Sequence, residues 1–408
     1  MAPLVVLTSL FFMWGFLTCL NDIIIPHLKG VFELTYAQAM LVQFAFFAAY
    51  FAMSLPAGAV VRRLGYKGGI VAGLLVAAAG CAGFYPAAAA RSYGLFLFAL
   101  FVLASGITLL QVAANPFVAA LGKPESAPAR LTLTQAFNAL GTTIAPLFGS
   151  ALILSRPAPT DAGAAVSEAY RATEAASVQG PYLGLTLTLL VLAGAIALSR
   201  LPRIHEESQL APKLGFAALL REPHLTRGAL AIFLYVGAEV AIGSLLVSFL
   251  QEPSIGGMSE ASAARLVALY WGGAMVGRFI GTVTLRRFQP GKVLSAHAAC
   301  AAGLLALAIG GSGNTAVYAV LAIGLCNSVM FPTIFALAIA GLGARTSQAS
   351  GLLCMAIVGG ALVPLVQGAL ADASTVQASF VIALLCYLYI VWYGVRGSAR
   401  RHATDENV

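Results

Sequence analysis

Apolar side chains dominate this chain of 408 residues, because hydrophobic types make up 60% of it and charged types only 9%. A water-soluble globular domain usually carries about 25% charged residues, so the composition excludes a soluble enzyme. Runs of about 20 apolar residues are typical of membrane-spanning helices. The net charge of +8 is spread over short loops, which favours a role in membrane topology over nucleic-acid binding.

Twelve apolar segments follow one another along the chain, each long enough to cross a bilayer as a helix. We predict an all-α membrane protein with twelve transmembrane helices. Its domains are predicted as an N-terminal six-helix bundle over 1–199, a cytoplasmic linker over 200–227, and a C-terminal six-helix bundle with a short cytoplasmic tail over 228–408. The spans are predicted at 4–27, 37–61, 68–90, 93–121, 131–154, 180–199, 228–250, 261–285, 292–311, 315–340, 347–371 and 376–395.

The distribution of lysine and arginine predicts the orientation of these spans. With both termini placed on one side, the loops and tail of that side hold 17 basic residues and the loops of the other side hold 5. Because cytoplasmic loops carry the excess of positive charge, we predict that both termini lie in the cytoplasm. The expected location is the cell inner (plasma) membrane.

The two halves of the chain repeat a pattern of charged and helix-breaking residues. The arginine pair at 62–63 recurs at 286–287, and the proline-containing pair at 115–116 recurs at 331–332 with a similar offset. Parallel six-helix repeats of this kind occur in secondary transporters, in which the substrate site lies at the bilayer midplane between the repeats. The pattern therefore predicts a transporter that works by alternating access.

Several side-chain amides fall inside apolar segments, where lipid offers them no hydrogen-bond partner. Amides supply both donors and acceptors, and aromatic rings can stack on the C–H face of a sugar, so together they favour a neutral polyhydroxyl ligand. For any single amide, an interhelical hydrogen bond is the alternative. The candidates for substrate binding are Gln43, Gln111, Asn115, Gln135, Asn138, Glu239, Trp271, Asn327 and Phe331.

Three charged residues lie deep within the predicted spans, namely Asp22, Glu239 and Arg278. A charge at the bilayer centre costs roughly 2.5–3.5 kcal/mol on insertion scales, so such residues usually pair, titrate or line water. Asp22 and Glu239 are therefore candidates for cation coupling, and a sodium site near Asp22 stays open. A purely structural pair between Glu239 and Arg278 is the alternative.

Other classes of protein lack their characteristic residues in this sequence. There is no Walker A, HExxH or GxSxG motif, which argues against an ATP-driven pump, an intramembrane protease or a lipase. The six cysteines lie in apolar runs without CxxC or metal-ligand spacing, as packing residues do. We expect neither an enzymatic activity nor a cofactor. A channel fits the two-half repeat less well than a carrier does.

Four long strings carry a specific resemblance: FFMWGFLTCLNDIIIPHL at 11–28, LASGITLLQVAANPFVAALG at 103–122, RLTLTQAFNALGTTIAP at 130–146 and FLYVGAEVAIGS at 233–244. They resemble the fucose–galactose–glucose:cation symporter family of the major facilitator superfamily. The likeness extends over essentially the whole chain and is greatest for the glucose/galactose branch. It implies the major facilitator fold of two six-helix repeats.

The resemblance also implies roles for individual residues. Asp22 matches the membrane-embedded aspartate of the family's first helix, and Gln135 and Asn138 match sugar contacts. Two residues depart from the fucose branch, because Gln111 stands where that branch has a glutamate and Glu239 stands where it has a neutral residue. The first departure argues against a fucose:proton mechanism.

The predicted function is a cation-coupled symporter that imports a hexose such as glucose, galactose or mannose, with sodium or a proton as the coupling ion. The alternatives are an uncoupled sugar facilitator and a membrane sugar receptor that binds without transporting. The expected partners are the hexose and the lipid bilayer, without nucleic acid, and the expected functional unit is a monomer.

Overall fold

The computed structural model describes residues 3–32, 36–152, 178–199, 201–202 and 219–398. All regular secondary structure in these residues is helical. The helices are α1 (Pro3–Phe32), α2 (Tyr36–Ala89), α3 (Tyr93–Ala120), α4 (Ala127–Leu152), α5 (Gln179–Leu198), α6 (Pro223–Gln251), α7 (Glu260–Arg287), α8 (Pro290–Gly310), α9 (Gly313–Asn327), α10 (Met330–Ile339), α11 (Thr346–Met355), α12 (Gly359–Ala373), α13 (Val376–Ser379) and α14 (Val381–Trp392).

Each of the twelve predicted spans is mostly helical in the residues that the structure describes. Within the described residues, nine helical segments are long and apolar enough to cross a membrane. The number is lower than twelve partly because Phe44–Ala89 holds both the second and the third predicted span in one segment. The first and fifth predicted spans lie in α1 and α4. The all-helical membrane architecture is therefore confirmed.

A single glycine separates the second and third spans inside α2. Gly65 has φ 71° and ψ 174°, whereas the residues around it are helical. A positive φ is readily adopted by glycine and strained for residues that carry a Cβ. Gly65 therefore turns the chain directly after the arginine pair at 62–63, where the sequence predicts a loop.

Two later spans are interrupted in the middle of the predicted segment. α9 ends at Asn327 and α10 begins at Met330, so the helix is broken four residues before Pro332. Proline lacks the N–H that would bond to the carbonyl four residues earlier, and its ring clashes with that carbonyl. A 3-10 turn at Ala356–Val358 interrupts the span that contains Pro364.

The chain divides into two compact units. One comprises Met1–Leu121 with Phe137–Gln209, and the other comprises Gly122–Ala136 with Leu210–Val408. The start of α4 thus groups with the C-terminal part of the chain, and the rest of α4 with the N-terminal part. The predicted boundary at 200–227 stays a prediction, because most of the linker lies outside the described residues.

Helices within the second unit approach each other closely where glycine replaces a side chain. A Cβ added at Gly324 of α9 would lie 2.0 Å from the backbone oxygen of Tyr270 in α7. A Cβ at Gly359 of α12 would lie 2.0 Å from the backbone oxygen of Phe233 in α6. Small residues allow this approach in membrane helix bundles, and it places α9 directly against α7 and α12 directly against α6.

Gly324→Ala is expected to lower the thermal unfolding midpoint in detergent. The added methyl cannot fit 2.0 Å from the Tyr270 oxygen, and overpacking of this kind costs about 1–3 kcal/mol. Gly303→Ala on α8 is the matched control, because a Cβ there meets nothing within 4 Å. The control should be neutral or stabilising, since alanine favours helix over glycine by about 1 kcal/mol. Equal midpoints for both variants would contradict the close contact of α9 with α7.

Candidate functional site

Two amides of α3 lie in the interior of the first unit. Gln111 is 5% exposed, and its Nε2 donates a hydrogen bond of 2.6 Å to the hydroxyl of Tyr50 in α2. Asn115, one turn further along, is 1% exposed, and neither its Nδ2 nor its Oδ1 has a hydrogen-bond partner among the described residues. A buried polar group without a partner costs about 1–3 kcal/mol. Asn115 is therefore destabilising unless a bound molecule supplies donors and acceptors.

The two predicted sugar contacts of α4 have different surroundings. Asn138, in the first unit, donates from Nδ2 to the backbone oxygen of Phe11 in α1 at 3.0 Å. Gln135, in the second unit, is 6% exposed, and its backbone oxygen accepts a hydrogen bond of 3.4 Å from Nη1 of Arg278. Both residues are thus fixed by neighbouring helices, Asn138 through its amide and Gln135 through its backbone.

The second unit contains a hydrogen-bonded network around Glu239 and Asn327. Glu239 accepts from the hydroxyl of Tyr235 at 2.9 Å, and the same hydroxyl lies 3.0 Å from the backbone oxygen of Asn327. The Asn327 side chain is 1% exposed; its Nδ2 donates to the Tyr270 hydroxyl at 2.9 Å, and its Oδ1 accepts from the Tyr387 hydroxyl at 2.7 Å. Tyr235 therefore joins Glu239 to the backbone of Asn327, and Tyr270 and Tyr387 hold the Asn327 side chain, so the network spans α6, α7, α9 and α14.

Glu239 has a hydroxyl partner rather than a direct ionic one. Within the described part of the chain, no ion pair of 4.0 Å or less joins it to Arg278. Arg278 instead donates to the backbone oxygen of Gln135, and its Nε has no partner among the described residues. The geometry thus does not support the tight structural pair that the sequence left as an alternative.

The two predicted aromatic residues differ in accessibility. Trp271 is 44% exposed, and its ring meets that of Tyr270 edge-on, with centroids 5.1 Å apart and an interplanar angle of 82°. Phe331 of α10 is half-buried, with its ring centroid 6.0 Å from that of Phe335. Trp271 is therefore partly exposed and lies directly beside a tyrosine of the Glu239 network.

The remaining predicted residues are Asp22 and Gln43. They belong to α1 and α2, but their side chains lie outside the described residues, so the roles predicted for them stay predictions. The described residues contain no group of three or more histidine, cysteine or acidic side chains that could hold a metal ion.

Four tyrosines bond to the predicted site residues but are not themselves predicted from the sequence: Tyr50, Tyr235, Tyr270 and Tyr387. Tyr235 stands four residues before Glu239, a spacing that places both on the same face of a helix. The sequence alone therefore indicates that these two side chains are neighbours. Tyr270 and Tyr387 come from helices distant in sequence from Asn327, and no local pattern connects them.

Long apolar helices that bury amides, a carboxylate and tyrosine hydroxyls are the features of a helical membrane transporter. The chain belongs to the Major Facilitator Superfamily, whose model matches residues 5–357.

Related proteins and structures agree with this assignment. The chain is 56% identical over 392 residues to a glucose/galactose transporter of Brucella abortus, covering 96% of this chain and 93% of the relative. It is 38% identical to the L-fucose-proton symporter of Escherichia coli, covering 95% and 91%. A crystal structure of the transporter FucP in the outward conformation superposes with a TM-score of 0.91 at 36% identity, covering 98% and 99%. These names confirm the predicted family, the predicted fold and a transporter rather than an enzyme.

Proposed function

We propose that this protein is a symporter that imports a hexose across the cell inner membrane together with a proton. The proposal that the substrate is a hexose rests on the 56% identity, along almost the whole chain, to a protein named as a glucose/galactose transporter. A multi-pass chain with buried amides has the chemistry to bind such a ligand, because sugar hydroxyls both donate and accept hydrogen bonds.

Sugar binding is assigned to buried or half-buried amides and to aromatic rings. Asn115 supports the assignment most directly, because its buried amide has no partner among the described residues, and a sugar hydroxyl could satisfy it. Trp271 adds an exposed ring on which a C–H face can stack. The full proposed set is Gln43, Gln111, Asn115, Gln135, Asn138, Glu239, Trp271, Asn327 and Phe331.

The proton is proposed as the coupling ion, with Asp22 and Glu239 as the coupling residues. Support comes from the named proton coupling of the Escherichia coli relative and from Glu239, a carboxylate in the interior of α6 that contacts a tyrosine hydroxyl. A carboxylate within a membrane span is suited to binding and releasing a proton. Sodium coupling and an uncoupled facilitator are the alternatives within transport.

Both termini are placed in the cytoplasm, because the loops of that side carry 17 of the basic residues against 5 on the other. The transporter is proposed to act as a monomer in the bilayer, without a cofactor.

Gln135→Ala and Asn138→Ala are each expected to weaken hexose binding by about 1–3 kcal/mol, or roughly 5- to 150-fold, because each removes a hydrogen-bonding group from a buried polar site. Isothermal calorimetry on purified protein measures the change. The control is Gln377→Ala, since that amide bonds to the backbone oxygens of Ala308 and Gly311 near the end of α8. Unchanged affinity in both α4 variants would remove them from the sugar site.

Net flux into proteoliposomes tests the proposed function against a receptor. We expect labelled glucose and galactose to exchange with unlabelled sugar inside the vesicles. Mannose and fucose in the same assay rank the substrates. Saturable binding without any flux would identify a sugar receptor and contradict transport.

A further inference from the structure

The hydroxyl of Tyr235 makes two short contacts but carries only one proton. Its Oη lies 2.9 Å from Oε1 of Glu239 and 3.0 Å from the backbone oxygen of Asn327. Ionised carboxylates and backbone carbonyls are acceptors only. A single hydroxyl proton therefore cannot satisfy both oxygens when Glu239 is ionised.

Protonation of Glu239 removes this conflict. The carboxylic O–H then donates to Tyr235 Oη, and the tyrosine proton donates to the Asn327 oxygen, so two protons bridge three oxygens. When Glu239 releases its proton, its carboxylate becomes the stronger acceptor, because hydrogen bonds to ionised groups are about twice as strong as neutral ones. The Tyr235 hydroxyl then rotates and donates its proton to Glu239, and the Asn327 carbonyl loses its hydrogen-bond donor.

The Asn327 carbonyl lies where the backbone ladder is interrupted. Asn327 is the last residue of α9, and α10 begins at Met330. Carbonyls of the last helical turn have no partner within their helix and must find one elsewhere. The Tyr235 hydroxyl is such a partner, so its orientation affects the break that precedes Pro332.

We propose that Tyr235 is a positioning residue that transmits the protonation of Glu239 to the break between α9 and α10. The proposal rests on the proposed function, since it describes how a bound proton changes the helix that carries Asn327. The side chain of Asn327 is meanwhile held by Tyr270 and Tyr387, so the tyrosine proton acts on its backbone alone.

The charged and titratable groups that act on this site come from three helices. They are Tyr235 on α6, Arg278 and Tyr270 on α7, and Tyr387 on α14. Arg278 forms no direct ion pair with Glu239 in the described residues. None of these groups other than Tyr235 contacts both Glu239 and Asn327 in the described residues.

Tyr235→Phe tests the proposal, with Tyr387→Phe as the matched control. Both variants remove one buried hydroxyl that bonds to Asn327, but only Tyr235 contacts Glu239. The quantity measured in proteoliposomes is a ratio: hexose accumulation driven by a proton gradient, divided by the rate of sugar exchange without a gradient. Tyr235→Phe should lower this ratio about tenfold or more, and it should shift the midpoint of the pH profile of exchange by about one pH unit. Tyr387→Phe should leave the ratio and the midpoint nearly unchanged, although its rate of exchange should fall because Tyr387 holds the Asn327 side chain.

The outcomes separate the inference from the proposed function. Wild-type protein that exchanges hexose but never accumulates it under a pH gradient overturns the proposed proton coupling. Wild-type accumulation with equal ratios and equal pH profiles in the two phenylalanine variants overturns the role of Tyr235 alone. If Tyr235→Phe does not fold, Tyr235→Leu replaces it, because leucine also removes the hydroxyl that contacts Glu239 and Asn327 and leaves the Glu239 carboxylate unchanged. The same loss of ratio supports the proposal, and a wild-type ratio in Tyr235→Leu overturns it.

Discussion

Glu239→Gln is expected to melt near the wild-type temperature and to lower hexose transport about tenfold or more, which corresponds to roughly 1.4 kcal/mol or more. The substituted amide keeps an oxygen that can accept from Tyr235, so the contact of 2.9 Å survives. It cannot bind or release a proton, so the coupled step is lost. Melting temperature and transport per folded molecule are measured on the same preparation.

The opposite result follows if Glu239 serves only to neutralise Arg278. Breaking a buried ion pair by removing one partner costs about 3–5 kcal/mol, so the variant would melt far lower. The described residues show no contact of 4.0 Å or less between these two side chains, which is why we expect little loss of stability.

Glu252→Gln is the control for this experiment. Glu252 follows the last residue of α6 and is not part of the Glu239 network, so the change removes a carboxylate at the end of the same helix without affecting Tyr235. It should transport as wild type does. Low stability combined with normal transport per folded molecule in Glu239→Gln would contradict a functional role for this carboxylate.

Asn115→Leu is expected to stabilise the sugar-free protein and to weaken hexose binding about tenfold or more. Leucine is similar in size and removes a buried amide whose atoms have no partner among the described residues. Removing an unsatisfied buried polar group stabilises the folded protein by about 1–3 kcal/mol. The same change removes the donor and acceptor that we assign to the sugar.

Asn327→Leu provides the contrast, because the sign of the stability change should reverse. The Asn327 amide is bonded to Tyr270 and Tyr387, so leucine would strand two buried hydroxyls and destabilise the protein by about 1–3 kcal/mol for each. Thermal unfolding without sugar and calorimetry with sugar measure both effects. A lower melting temperature for Asn115→Leu would show that this amide is already satisfied in the sugar-free protein.

Much of the fold follows from local properties of the sequence. The apolar runs predict all twelve spans, because lipid requires each backbone group to bond within its own helix. Pro332 likewise predicts a disturbance in its span, and the break between Asn327 and Met330 lies directly before it. These features depend on residues close together in the chain, so the sequence alone is sufficient.

The partners of the buried polar groups do not follow from the sequence in the same way. Apolar surroundings predict that Gln111 and Asn327 are buried, but they cannot tell a bonded amide from an unbonded one. Gln111 bonds to Tyr50 and Asn327 bonds to two tyrosines of other helices, whereas Asn115 has no such partner in the described residues. Which amide is satisfied depends on helix packing, and only the structure supplies it.

Hexose accumulation in proteoliposomes under separately imposed gradients tests the proposed function most directly. Labelled glucose or galactose is supplied outside vesicles with either an inward proton gradient or an inward sodium gradient. We predict uphill accumulation with the proton gradient and none with the sodium gradient alone, and dissipation of the pH difference should abolish it. Accumulation driven by sodium alone, or equilibration without accumulation under both gradients, would contradict the proposed proton-coupled symport.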